Sequence, residues 1–133
     1  IPKNCASVDS NGIFLIVHSG NAFPLEYYDT NTNKRDIIGD LTYTTKIGPY
    51  SEELFFYQNT LYVDGEILTE VGFYNLKGEK VIDLSQYDII TEDESIFFSD
   101  DTCKIKICND QGNYYYITID KSGSVVDSSA TIN

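Results

Sequence analysis

Short apolar runs separated by polar turn clusters fill this chain. The runs stand at Ile13–Val17, Leu25–Tyr28, Leu54–Tyr57, Leu61–Val63, Val71–Tyr74, Ile96–Phe98, Ile105–Cys108 and Tyr114–Ile119. Each has the length of a strand and is rich in β-branched and aromatic residues. Clusters of Asn, Asp, Gly and Ser divide them, and these residue types favour turns. The pattern predicts an all-β, antiparallel domain. Helical signals are confined to Asp83–Asp88, which could hold one turn capped by Asp83 or Ser85.

One hairpin signal recurs. It reads Tyr27-Tyr28-Asp29-Thr30-Asn31-Thr32-Asn33-Lys34 into Ile37-Ile38, then Phe73-Tyr74-Asn75-Leu76-Lys77-Gly78-Glu79-Lys80 into Val81-Ile82. The third copy is Ile117-Thr118-Ile119-Asp120-Lys121-Ser122-Gly123-Ser124 into Val125-Val126. The leading Asp or Asn positions are 29, 75 and 120, so the steps are 46 and 45. A fixed period of this size predicts a repeat architecture. Gly78 and Gly123 suit turns that need positive φ, and Asn33 occupies the corresponding place in the first copy. Opening runs align as Ile13-Phe14-Leu15, Leu54-Phe55-Phe56 and Ile96-Phe97-Phe98. The reading is a single β-repeat domain over residues 1–133, with approximate repeats 13–52, 53–94 and 95–133 of about four strands each.

The segment Gly72-Phe73-Tyr74-Asn75-Leu76-Lys77-Gly78-Glu79-Lys80-Val81-Ile82, followed by Tyr87-Asp88-Ile89-Ile90, resembles the bacterial WG-type repeat. Tyr116–Val126 matches the first half of that pattern, and Tyr27–Ile38 matches it loosely. About half the chain is covered. The chain departs from the pattern in lacking the signature Trp-Gly and in carrying Asp83 where a Pro is usual. The resemblance implies propeller-type, blade-like units and an extracellular or cell-surface location. A β-trefoil also has three four-stranded repeats of about this length and closes on itself, which removes open strand edges. Both architectures fit three units.

Composition narrows the function. The chain has 133 residues, enough to bury roughly two thirds of its unfolded surface in one core. Eleven Tyr and seven Phe stand beside no Trp and no Met. With 21 acidic and 9 basic residues the net charge is −12, which repels nucleic-acid phosphates and anionic lipid. No apolar run is long enough to insert in a membrane as a helix. The lack of an initiator Met suits a mature, trimmed or excised piece.

Candidate chemistry is sparse. Cys5, Cys103 and Cys108 form no disulfide framework and no zinc ligand set. Cys103 and Cys108 would stand about 16 Å apart on one strand, too far to bond, whereas Cys5 could reach either. His18, the single histidine, lies at a strand end with no activated Ser or Cys beside it. Asp29-x-Asn31-x-Asn33 imitates half a calcium loop with Asp40 at the twelfth position, but Lys34 stands where a glycine is needed. It therefore reads as a hairpin turn, and no metal or cofactor is expected. Carboxylates at Glu92-Asp93-Glu94 and Asp100-Asp101 flank a strand signal and read as solvated loop charge.

Tyrosines remain as binding candidates. Tyr27, Tyr28, Tyr114, Tyr115 and Tyr116, with Asn113, are expected to expose some rings, because a strand alternates its side chains. Such rings suit a protein partner or a carbohydrate. The function expected is a non-catalytic β-repeat module, not an enzyme, that binds a protein or a carbohydrate outside the cell. The alternatives are a structural spacer or accessory domain of a larger protein, and a carboxylate-based hydrolase.

Overall fold

The computed structural model describes residues 12–16, 24–41, 46–91 and 95–128. The chain is all-β and antiparallel, with eleven strands and no helix among the described residues. Strands β1 (Ile13–Ile16), β2 (Glu26–Asp29) and β3 (Lys34–Ile37) form a first sheet in that order. Strands β4 (Lys46–Ile47), β5 (Phe55–Val63), β6 (Glu66–Tyr74) and β7 (Lys80–Asp83) form a second. Strands β8 (Asp88–Ile89), β9 (Thr102–Cys108), β10 (Tyr114–Asp120) and β11 (Val125–Ser128) form a third. Every sheet is a simple meander, each strand pairing with its neighbour in sequence.

The second sheet lies between the other two. Phe55, Tyr57 and Tyr74 point to one face and share a core with Leu15, Leu25 and Ile38 of the first sheet region. Leu54, Phe56, Val71, Phe73 and Ile82 point the other way and meet Ile105, Ile107, Ile117 and Ile119 of the third. This explains why β5 opens with three consecutive aromatic residues: a strand covered on both faces needs apolar side chains at every position. By contrast β9 alternates, with Cys103, Ile105 and Ile107 inward and Lys104 exposed. The central aromatic rings interlock. Phe55 stacks on Tyr74 at 6.2 Å, and Phe73 meets Phe98 edge-on at 4.7 Å.

The three repeated turns join β2 to β3, β6 to β7 and β10 to β11. Asn75 accepts from the backbone N–H groups of Lys77 and Glu79 through Oδ1, and Asp120 does the same for Ser122 and Ser124. Asn33, Gly78 and Gly123 have φ of 60°, 83° and 87°. A fourth turn of this kind, outside the repeated signal, lies between Cys108 and Tyr114. Asn109 Oδ1 accepts from Gln111 and Asn113, and Gly112 has φ 79°, joining β9 to β10.

Four expectations need correction. Leu54–Tyr57 and Leu61–Val63 are not separate strands, because β5 runs unbroken from Phe55 to Val63. Val71–Tyr74 extends back to Glu66, with Asp64-Gly65 as a two-residue turn at φ 51° and 81°. Ile96–Phe98 is not a strand, and it does not correspond to Leu54–Phe56. Ser51-Glu52-Glu53-Leu54 and Ser99-Asp100-Asp101-Thr102 form the same tight turn, with reciprocal backbone bonds and positive φ at both acidic residues. That match sets Ile96–Phe98 against Gly48–Tyr50. The two segments also approach each other closely, since a Cβ on Gly48 would lie 2.3 Å from the Ile96 carbonyl oxygen. Finally, Asp83–Asp88 holds one hydrogen-bonded turn, with the Tyr87 N–H donating to the Leu84 carbonyl, but it is not helical. Asp83 Oδ1 accepts from the Ser85 N–H, and the chain returns directly into β8.

Candidate functional site

The tyrosines do not form one surface. Tyr27 packs half-buried against the core between the first and second sheets. Tyr28 stacks on Phe14 at 5.3 Å and donates its hydroxyl to Asn33 Oδ1. Tyr114, Tyr115 and Tyr116 belong to the third sheet, on the far side of the second. They also follow the Asn109 turn, at the opposite end of β10 from Asp120. Tyr115 points inward against the core. Tyr114 and Tyr116 point outward, but lysines lie over both rings: Lys106 sits 5.2 Å from Tyr114 and Lys104 4.6 Å from Tyr116. Asn113 closes its turn by donating its N–H to Asn109 Oδ1. His18, Cys5 and Glu92–Glu94 lie outside the described residues.

One charged cluster gathers at the turns. Lys121 Nζ lies 3.3 Å from both Glu52 Oε1 and Asp101 Oδ1, and the Asp101 N–H donates to Glu52. Partial desolvation pulls the Lys121 pKa down, yet the bonds to Glu52 and Asp101 outweigh it and hold the ammonium more firmly protonated. A lysine held in this way is neither base nor nucleophile. The cluster borders a cleft of about 500 Å³ lined by Tyr50, Glu53, Asn75 and Lys77 among others. Asp83 and Asp120 are both held below the ordinary carboxylate pKa, by hydrogen bonds led by Ser85 and Ser122 respectively. That is opposite to the raised pKa a general acid needs. Burial pushes the Cys103 thiol up to about 12, and Cys103 and Cys108 are both free. No group of three or more metal-ligating side chains occurs among the described residues.

Among the described residues two buried polar atoms lack a hydrogen-bond partner, Asn59 Oδ1 and the Tyr74 hydroxyl. Both side chains lie on the face of the second sheet that meets the first. Asn59 borders a cleft of about 450 Å³ together with Asp40, Leu41, Glu70 and Glu79.

Among the described residues, the most exposed apolar feature is one the tyrosine reading misses. From Tyr62 to Thr69, eight consecutive residues of the β5–β6 hairpin are exposed. Tyr62 is 78% exposed, Ile67 64%, Leu68 47% and Val63 45%. These side chains occupy both faces of the ribbon, so neither face is covered. Thr60 pairs with Thr69, Tyr62 with Ile67 and Val63 with Glu66. At about 3.3 Å per residue, Thr60–Val63 extend the arm roughly 13 Å. A two-stranded ribbon is marginal alone, and here its register continues without a break into the central sheet, which holds it. Asp64-Gly65 between Leu61-Tyr62-Val63 and Ile67-Leu68 is the sequence signal that could have found it.

The chain matches no family model, no curated protein and no solved structure.

Proposed function

We propose that this chain is a non-catalytic β-repeat module that binds a protein partner through its β5–β6 arm. The observation that carries the reading is the pair of uncovered apolar faces at Tyr62, Val63, Ile67 and Leu68. Burying such side chains stabilises an interface by about 25 cal/mol per Å² of apolar surface. Leaving them in water on a projecting ribbon costs solubility, and a partner removes that cost. The meander order of each sheet and their face-to-face stacking support blade-like units over a trefoil. Gly72, the leading glycine of the WG-type resemblance, has a backbone reason. A Cβ there would lie 2.0 Å from the Ile82 carbonyl oxygen. The same resemblance supports an extracellular or cell-surface setting.

The carbohydrate reading has weaker support, because Lys104 and Lys106 occupy the ring faces on which a sugar would stack. The test is capture from an extract of the source cells by immobilised wild type and by a Tyr62→Ser/Ile67→Ser/Leu68→Ser variant. The wild type should retain a discrete protein that the variant loses, while both give the same circular dichroism spectrum. Identical retention by both proteins sinks the reading. A glycan-array hit lost on Tyr114→Ser/Tyr116→Ser but kept by the arm variant would favour carbohydrate instead.

A further inference from the structure

We propose that the arm docks by adding its open β6 edge to an extended segment of a partner protein that carries basic side chains. The proposal rests on the protein-binding reading above and names the chemistry of the partner.

The edge comes first. In the second sheet β7 pairs with β6 only at Gly72–Tyr74, and Leu84 N–H then bonds the Val71 carbonyl. Among the described residues no strand pairs with the outer edge of β6 from Glu66 to Glu70. In an antiparallel ladder the N–H and C=O of one residue point to the same side, and alternate residues share that side. Val71 directs its carbonyl outward, so Thr69 and Ile67 present theirs outward too. Strand edges of soluble proteins are usually blunted by charged side chains, Lys above all, by Pro or by bulges. Residues 59–70 contain no Lys, Arg or Pro, and the β5–β6 register has no bulge. Among the described residues this edge is open, and its charges at Glu66 and Glu70 are acidic alone.

Charge then selects the occupant. The ribbon carries Asp64, Glu66 and Glu70 and no cation, on a chain of net charge −12. A second copy would set like charges against each other along the same edge, which disfavours self-pairing. A strand bearing Lys or Arg neutralises these carboxylates and is steered toward them over a distance of about a Debye length.

The test uses the full chain and a fluorescein-labelled peptide, acetyl-(Val-Lys)₄-amide, followed by anisotropy at low salt. Three comparisons define the mode. The Val-Glu analogue should bind at least about tenfold more weakly. A Val-Lys peptide N-methylated at alternate residues keeps its charge but loses the ladder, and should lose at least about tenfold as well. Glu66→Lys/Glu70→Lys should abolish binding, whereas Asp36→Lys/Asp110→Lys, an equal change in net charge elsewhere, should leave it within about twofold. Equal binding of the lysine and glutamate peptides overturns the charge argument. Full binding by the N-methylated peptide overturns edge pairing. A dimer seen by sedimentation velocity and lost on Ile67→Ser makes the occupant a second copy. If no peptide binds while the triple-serine arm variant still loses its captured protein, the partner chemistry proposed here is wrong and the arm reading stands.

Discussion

Gly78→Ala should destabilise this protein much more than Gly112→Ala, although the two glycines sit in the same kind of turn. Both have positive φ, 83° and 79°, and both follow an Asn whose side chain binds two backbone N–H groups. The left-handed conformation costs an alanine about 1–2 kcal/mol in each turn. Loss of freedom in the unfolded chain returns up to about 1 kcal/mol in each. The surroundings differ. A Cβ on Gly112 meets nothing within 4 Å. A Cβ on Gly78 lies 2.9 Å from Gly39 Cα and 3.1 Å from the Ile38 carbonyl oxygen, both backbone atoms of the first sheet region. Backbone cannot rotate away as a side chain can, so the two sheets must separate locally, at a cost of about 1–3 kcal/mol. The expected losses are therefore about 1 kcal/mol at Gly112 and about 2–4 kcal/mol at Gly78. Gly123→Ala should fall between, since its Cβ would meet only the Ile82 side chain, at 3.1 Å. Urea unfolding followed by tyrosine fluorescence measures all three on one two-state scale. Equal losses at Gly78 and Gly112, within about 0.5 kcal/mol, would refute the claim that the Gly78 turn is locked against the first sheet.

Other expectations follow from single groups. Tyr74→Phe removes a buried hydroxyl without a partner, so stability should hold or rise by up to about 1 kcal/mol in the same urea assay. Cys103 is buried with its thiol pKa raised to about 12, so a thiol-specific chromogenic reagent should label it only after unfolding. Labelling of native Cys103 at the rate of a small free thiol would contradict the burial. Asp120 and Asp83 have depressed pKa values in the folded state. Their stabilising contribution is complete above the ordinary value of 3.8 and is lost as pH falls below it through the folded values. Asp120→Asn should therefore flatten the fall in melting temperature between pH 4 and pH 2, and an unchanged acid profile would count against the Ser122 and Ser124 bonds as its cause.

The period of apolar runs and the Asx turns were enough to read the all-β, antiparallel class from the sequence. Both are local properties. Strand propensity is carried by each run, and Asn75 or Asp120 folds its own turn through bonds to residues two and four ahead. Positive φ at Asn33, Gly78 and Gly123 was legible for the same reason. Tertiary structure decided what local signals leave degenerate. Phe55-Phe56 and Phe97-Phe98 look alike as residues, yet one pair opens a ladder strand with both rings buried, and the other precedes a tight acidic turn with Phe98 buried and Phe97 exposed. Only the stacking of three sheets determines which of two alternating faces is covered. That is why Tyr115 is inward and Tyr114 and Tyr116 lie under lysines. The arm is the clearest case. Val63 and Ile67 carry no mark of exposure in the sequence, because core and exposed apolar residues are of the same types, and only the lack of a covering element among the described residues leaves them in water.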